Sequence, residues 1–328
     1  MANIIQANLS LAQHHFLSPE RIHILPFNST VTLKNGHAFL HLHWMAFNFH
    51  SIFRSSLFDQ WFNYLQLTSS VSREQQANYQ LRSKYFKTDT KSGLPFLITY
   101  QLAGENSPIS VRTVTSETGH CQVDIDISNP KIIEILKNTT YVTGQFSYGS
   151  TRFQLSYLVN NFSIPNPYQP VLLPKFRVVI SDIDDTIKYS NVLDKSQLLI
   201  NTFLNPFQVI PDIASEIKNA NADFYYYVSS SPYQLWIFLY NFLKENNFPQ
   251  PENIRLRQLV SHNITNLWKF LENGPSYKIT TITEILQNFH DGCEVYLYGD
   301  SGESDPEIYN QIALTYPNLI KKIVIRNV

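Results

Sequence analysis

Phe176-Arg177-Val178-Val179-Ile180-Ser181-Asp182-Ile183-Asp184-Asp185-Thr186 is the stretch on which the reading of this chain turns. Its first half is a continuous apolar run. That is the pattern of a strand covered on both faces in a parallel sheet, not the alternation of a half-exposed one. Its second half places three carboxylates at the end of that strand, where burial is costly unless something offsets the charge. A divalent cation is the obvious candidate. Asp182 and Asp184, two apart, share a side as long as the chain stays extended.

Toward the C-terminus the same grammar repeats. Phe224 to Val228, Ile254 to Val260, Val295 to Tyr298 and Ile323 to Ile325 read as further apolar strands. Between them, Asp212 to Asn219, Pro232 to Glu245, Ile279 to Phe289 and Pro306 to Leu314 read as helices. Ser231 is the expected N-cap of the second of these, with Pro232 at its first position. Strands alternating with helices predict an α/β domain with a parallel sheet covered on both faces. In such sheets, sites lie beyond the carboxyl ends of the strands.

Chemistry sits at those ends. After the second strand, Ser229-Ser230-Ser231-Pro232 supplies donors at an expected helix N-terminus, a ready anion site. The fourth ends in Gly299-Asp300-Ser301-Gly302-Glu303-Ser304-Asp305, which adds acids beside Asp182. Lys278 opens the preceding helix and can offer positive charge to a phosphate or to a carboxylate nucleophile. Asp305 can cap the helix that begins at Pro306 or support a cation. An aspartate can attack a phosphomonoester and form an aspartyl-phosphate. A cation and a lysine offset the charge of the transferring group, and a second acid can protonate the leaving oxygen and then activate water.

Upstream, residues 20 to 170 alternate like the short strands of an antiparallel sandwich, with turn signals at Asn35-Gly36, Glu117-Thr118-Gly119 and Gly149. Ser51 to Arg82 interrupts them as a helical or irregular insertion; Leu57, Phe58, Trp61, Phe62 and Leu65 recur there at helical spacing. Three prolines in Ile164 to Pro170 mark a stiff linker. The predicted division is therefore 1–163, a β-rich domain with a helical insertion; 164–173, a Pro-rich linker; and 174–328, an α/β domain.

Composition limits what this chain can be. Its 328 residues are 43% hydrophobic and 14% aromatic, with 16% charged residues and a net charge of −1. Charged residues fall below the about 25% of an average globular protein. Disordered and coiled-coil classes are excluded, and no basic surface for nucleic acid is expected. Cys121 and Cys293 are too few for a disulfide framework and read as small buried hydrophobes. The N-terminus lacks a basic start and an apolar stretch, and the run Leu235 to Tyr240 is far short of the roughly 20 residues that span a bilayer. The expectation is a soluble, cytoplasmic protein. Peripheral contact with a membrane, and export without an N-terminal signal, are compatible with the same sequence.

Asp182-Ile183-Asp184-Asp185-Thr186, Ser229, Lys278 and Gly299-Asp300 with Asp305 follow the order of the four motifs of haloacid dehalogenase-type phosphatases. In particular, Asp182 to Lys188, Tyr227 to Pro232, Ile254 to Arg257 and Gly299 to Tyr309 resemble the actin-patch-type phosphatidate phosphatases, with lipins as more distant relatives. The resemblance covers residues 172 to 328. It implies a haloacid dehalogenase-like Rossmannoid sheet and a Mg2+-dependent hydrolysis of a lipid phosphomonoester to diacylglycerol and phosphate. It implies Asp182 as nucleophile and metal ligand, and Asp184 as general acid/base whose backbone carbonyl touches the metal. Ser229 would bind the phosphoryl group, with Ser230 and Ser231 as neighbours that could share the task. Lys278 would steady the charge, and Asp300 and Asp305 would complete the metal site. Asp185 and Thr186 hold the turn.

An insertion at Ile187 to Pro211 is expected to form a flap over the site, and its Leu198-Leu199-Ile200, Phe203-Leu204 and Phe207 suit a lipid better than a sugar phosphate. Two other functions fit the sequence: a silent module that binds anionic lipid, and a phosphatase of a soluble phosphomonoester or phosphoprotein. Silent relatives lose Asp182 or Asp184, and here both are present. His37, His41 and His43 fall on one strand face with zinc-like spacing but have no nearby acid or cysteine to complete a site. The sequence identifies no protein partner.

Overall fold

The structure, a computed structural model, describes residues 2–11, 22–27, 30–34, 36–49, 59–60, 62–63, 71–102, 107–137, 141–148, 151–162, 175–251, 253–259, 275–289 and 291–328. The proposed linker 164–173 lies wholly outside these residues, as do Leu57, Phe58, Trp61 and Leu65. The chain divides into two compact units, residues 1–51 with 88–171 and residues 52–87 with 172–328.

The first unit is β-rich, with a helix α2 (Pro130–Lys137) among its described residues. Its strands are β1 (Ala2–Leu11), β2 (His23–Pro26), β3 (Thr30–Lys34), β4 (His37–Asn48), β5 (Asp89–Thr90), β6 (Pro95–Leu102), β7 (Ile109–Val114), β8 (His120–Asp126), β9 (Tyr141–Tyr148) and β10 (Thr151–Phe162). In β4, Ala38, Leu40, Leu42 and Trp44 are buried at every second position, as are Phe96, Ile98, Tyr100 and Leu102 in β6. That period of two turns one face of each strand inward. The two faces meet: the Trp44 and Phe96 rings contact edge to face at 5.9 Å. The β3–β4 hairpin pairs Lys34 with His37 around Gly36, whose φ of 78° is left-handed and favours glycine. The expected antiparallel sandwich is modified in two respects. Pairing among the described residues runs through one ten-stranded sheet, and β1–β9 and β3–β10 are parallel.

The second unit carries a five-stranded sheet, all parallel, in the order β13-β12-β11-β14-β15. The strands are β11 (Arg177–Ser181), β12 (Phe224–Pro232), β13 (Ile254–Arg257), β14 (Glu294–Asp300) and β15 (Ile320–Arg326). The central β11 has Val178, Val179 and Ile180 fully buried, which is why its sequence is apolar without alternation. From β11 the chain winds out through β12 and β13, then returns to the other side of β11 as β14. The winding therefore reverses between β11 and β14, which is where such sheets open a crevice. Helices α3 (Lys195–Phe203), α4 (Pro211–Lys218), α5 (Trp236–Glu245), α6 (Pro275–Leu286) and α7 (Asp305–Thr315) accompany the sheet.

Three local expectations change. The helical insertion does not group with the β-rich unit: α1 (Arg73–Ser83), closed by a Ser72/Gln75 capping box, belongs with 172–328. Its contacts explain why, since Arg82 and Asn78 donate to backbone carbonyls near the end of α3. Second, Pro232 does not begin a helix. Strand β12 continues through it after an irregularity between Ser229 and Pro232, and a 3-10 turn at Tyr233–Leu235 precedes α5. Ser231 accordingly caps no helix. Third, α7 starts at Asp305, after Ser304, so the Asp305 side chain is free for other partners. Among the described residues, no helix is long and apolar enough to cross a membrane.

Candidate active site

Two polar clusters occupy the crevice. The first joins Asp182, just past β11, to Asp300 at the end of β14 and Asp305 at the start of α7. Carboxylate oxygens of these three buried residues lie within 4.8 Å of one another. Lys278, in the first turn of α6 and 2% exposed, reaches into the group with Nζ 2.8 Å from Asp182 Oδ1, 2.6 Å from Asp305 Oδ1 and 3.0 Å from Glu303 Oε2. Burial opposes its charge, but Asp182, Glu303 and Asp305 hold its ammonium well above the ordinary range. Thr186 donates to Asp182 Oδ2 at 3.0 Å.

The acids are not fully offset by one lysine. Burial drives the Asp182 carboxyl well above its usual range, against the pull of Lys278 and with the push of Asp305 and Asp300. Burial and the neighbouring Asp305 push Asp300 up to about 7. Asp300 Oδ1 accepts from the Gly302 and Glu303 amides at 2.7 and 3.2 Å. Its Oδ2 is buried with no hydrogen-bond partner. An orphaned carboxylate oxygen among crowded acids is what a hard divalent cation satisfies, so these residues fit Mg2+. Asp305 has both oxygens committed, one to Lys278 and one to the Asp300 amide at 3.3 Å. It suits support of the cation site better than direct ligation.

The second cluster surrounds Asp184. Its Oδ1 lies 2.7 Å from Lys188 Nζ and accepts from Ser190 Oγ at 2.6 Å, while Oδ2 accepts from Ser229 Oγ at 3.0 Å and Ser231 Oγ at 2.9 Å. Burial alone would raise this carboxyl; Lys188 and the hydroxyls outweigh it and hold it down at about 2. Asp182 and Asp184 therefore do not share one cluster. Asp182 turns to Lys278 and Thr186, and Asp184 to Lys188 and three serine hydroxyls, so their carboxylates have no partner in common. The Asp184 carboxylate is not among the three that can share a metal; the contact expected of Asp184 is through its backbone carbonyl. Asp185 needs no cation: at φ 55° it accepts from the amides of Ser190, Asn191 and Val192 at 2.9, 2.9 and 2.6 Å, the turn-holding role expected of it.

Gly299 is required by this packing. A Cβ there would lie 2.6 Å from Asp305 Oδ2 and 2.7 Å from the Tyr309 ring. Gly299→Ala is expected to destabilise the fold by about 1–3 kcal/mol and to disturb the Asp305–Lys278 pair. Urea denaturation with and without Mg2+ measures it; a midpoint equal to that of wild type would refute the tight contact.

Asp184, Ser230, Ser231, Lys278 and Glu303 contribute polar groups to one cavity, whose walls include Leu198, Leu199 and Phe203 from α3. The apolar flap residues are thus divided. Leu204 is buried away from the cavity lining, and Phe207 packs against Phe242 at 6.0 Å. Sequence reading did not single out Glu303, Ser190 or Phe86 for the site; only the sheet and the insertion bring them there. Lys188 is 2% exposed and bound to Asp184. The histidines form no shared site: His41 bonds Thr32 and Asp124, and His43 bonds His120.

Fold and site together define an α/β domain with a buried acidic and basic cluster beyond the carboxyl ends of its parallel strands. Residues 177–327 match the family model of the phosphatidate phosphatase APP1 catalytic domain. An uncharacterized protein of Schizosaccharomyces pombe is 32% identical over 165 residues, 48% of this chain and 26% of that protein. Phosphatidate phosphatase APP1 of Saccharomyces cerevisiae is 36% identical over 155 residues, 45% of this chain and 25% of that protein. The matches thus span about a quarter of the length of either relative.

Proposed function

We propose that this protein is a Mg2+-dependent phosphatidate phosphatase that works through an aspartyl-phosphate. The observation that carries this reading is the buried Asp182–Lys278–Asp300–Asp305 cluster with its orphaned Asp300 oxygen, in an APP1-type domain. Asp182 and Asp300 would hold the cation with Asp305 behind them, and the cation would offset negative charge on the phosphoryl group.

A carboxylate oxygen of Asp182 forms a bond to phosphorus as the bond to the ester oxygen breaks. Thr186 and Lys278 aim that carboxylate. The leaving oxygen takes a proton from Asp184. Water then attacks the aspartyl-phosphate, gives its proton to Asp184, and phosphate departs with Asp182 regenerated. In the free chain Asp184 is held ionised by Lys188 and three hydroxyls. A phosphoryl group that draws the Ser229 and Ser231 hydroxyls to itself removes two of those bonds and brings negative charge. Both changes raise the affinity of Asp184 for a proton. Ser229 and Ser231 thus serve as the phosphoryl-binding hydroxyls.

A lipid substrate implies work at a membrane surface by peripheral contact. The test is phosphate release from short-chain phosphatidate with Mg2+ and with EDTA. Mg2+-dependent release supports the assignment. Release from an aryl phosphate alone would keep the chemistry and replace the substrate, and release from neither would favour a module that binds anionic lipid.

A further inference from the structure

The family match begins at residue 177, yet the cavity has a wall that lies outside it. Phe86, 8% exposed, lines the cavity together with Leu198, Leu199, Phe203, Leu235 and Ile308. It contacts Phe203 edge to face at 5.0 Å, and Phe62 meets the same ring at 5.1 Å. Both phenylalanines come from the segment that the sequence places between two strands of the β-rich unit.

The same segment fastens α3, the helix whose Leu198, Leu199 and Phe203 line the cavity. The N-terminus of α3 is closed locally by Asp194, which accepts from the Ser196 and Gln197 amides at 2.9 and 3.1 Å. Its C-terminus has no basic residue of its own. The last carbonyls of a helix lack intrahelical partners and favour a cation. Arg82, 6% exposed, supplies it: Nη1 donates to Thr202 O at 2.8 Å and to Asn205 O at 2.7 Å, with the guanidinium 4.0 Å over the Phe207 ring. Asn78 donates to Leu204 O and Gln75 to Asn205 Oδ1, each at 2.9 Å. Burying an arginine in this way is costly unless every contact is made, so its placement is specific. From Asn205 the bonding continues through Asn201 to Ser190 O, and the Ser190 hydroxyl donates to Asp184.

We propose that residues 71–87, together with Phe62, are a built-in part of the substrate site, with Phe86 as a specificity-determining wall for the apolar portion of a phosphomonoester and Arg82 as the residue that positions α3 beside it. The kinetic side of this inference rests on the phosphatase reading; the binding side does not.

The test compares the full-length wild type with Phe86→Ala, Phe86→Leu and Arg82→Met. Activity is read as the ratio of kcat/KM for dioctanoyl phosphatidate to that for glycerol phosphate. Binding of dioctanoyl phosphatidate is read by calorimetry in the Asp182→Asn background, where the ligand is not consumed. Phe86→Ala is expected to lower the ratio by about 10-fold or more, chiefly through KM, and to weaken binding by a similar factor. Phe86→Leu should fall between, and it decides the matter if the alanine variant does not fold. Arg82→Met is expected to speed hydrogen exchange at 198–204 by about 10-fold while exchange in β11 and β14 stays at wild-type rates. Arg82→Lys, which keeps the charge but loses the fork, should lie between the two and replaces Arg82→Met if that variant does not fold. A ratio and an affinity equal to wild type overturn the role of Phe86, and unchanged exchange overturns that of Arg82. If the wild type hydrolyses neither substrate, the phosphatase reading fails and the binding arm decides alone: weaker binding in Phe86→Ala keeps the wall, while equal or absent binding removes it.

Discussion

Asp182→Asn is expected to lower phosphate release by at least about 10³-fold while the protein stays folded. The amide cannot form an aspartyl-phosphate, so the first bond-making step is lost. The geometry makes the substitution mild in every other respect. The remaining carbonyl oxygen can face Lys278, 2.8 Å away in the wild type, and the new NH2 can donate to the Thr186 hydroxyl. Lys278 is not stranded, because Glu303 and Asp305 still meet its ammonium at 3.0 and 2.6 Å. Burial raises the Asp182 carboxyl well above its usual range. A carboxyl raised on folding lends its stability at low pH and loses it as pH rises through the unfolded and then the folded value. Burial among other acids thus disfavours the charged form of Asp182 in the metal-free protein, and a neutral amide escapes that penalty. A melting temperature at or above wild type, with no turnover, is the expected pair of results. Wild-type turnover would exclude Asp182 as the nucleophile.

Legibility in the sequence followed the range of the forces involved. Strands β11, β12 and β14 could be read because burial on both faces writes an unbroken apolar run, and chemistry at their carboxyl ends follows from the sheet rule. Lys278 could be placed only by its order among motifs, since an isolated lysine early in a helix carries no signal of its own. What escaped reading was non-local. Nothing in Arg73–Ser83 says that its Arg82 closes a helix more than a hundred residues later, and the insertion was therefore assigned with the strands that flank it. Ser231-Pro232 has the local grammar of a helix start, but pairing of Pro232 with Arg257 keeps the chain extended, and the Ser231 hydroxyl goes to Asp184. Asp305 before Pro306 likewise reads as a cap, until a buried lysine and the Asp300 amide claim both of its oxygens. In each case tertiary partners outbid a local preference of about 1 kcal/mol.

Asp300 gives the second large effect, through its link between metal and pH. Burial and Asp305 push its carboxyl up to about 7 from an ordinary 3.8. In the metal-free protein the folded state then holds this proton more tightly than the unfolded chain does. The contribution of Asp300 to stability is full below the ordinary value, falls as pH rises between the two values, and is gone above the higher one. A divalent cation binds the ionised carboxylates, so its stabilisation must grow over that same window. At a hundred times its dissociation constant, Mg2+ is expected to stabilise the protein by about 2.7 kcal/mol at pH 7.5, seen as a rise of several degrees in melting temperature that EDTA reverses. At pH 5 the same addition should have a much smaller effect. Asp300→Asn should raise the metal-free melting temperature at pH 7.5, abolish the response to Mg2+ and stop phosphate release. Because other carboxylates, Asp182 among them, titrate as well, the decisive quantity is the Mg2+-induced shift in wild type minus that in the variant, at each pH. A shift of equal size at both values, or one retained in Asp300→Asn, would place the cation away from Asp300 and its orphaned oxygen.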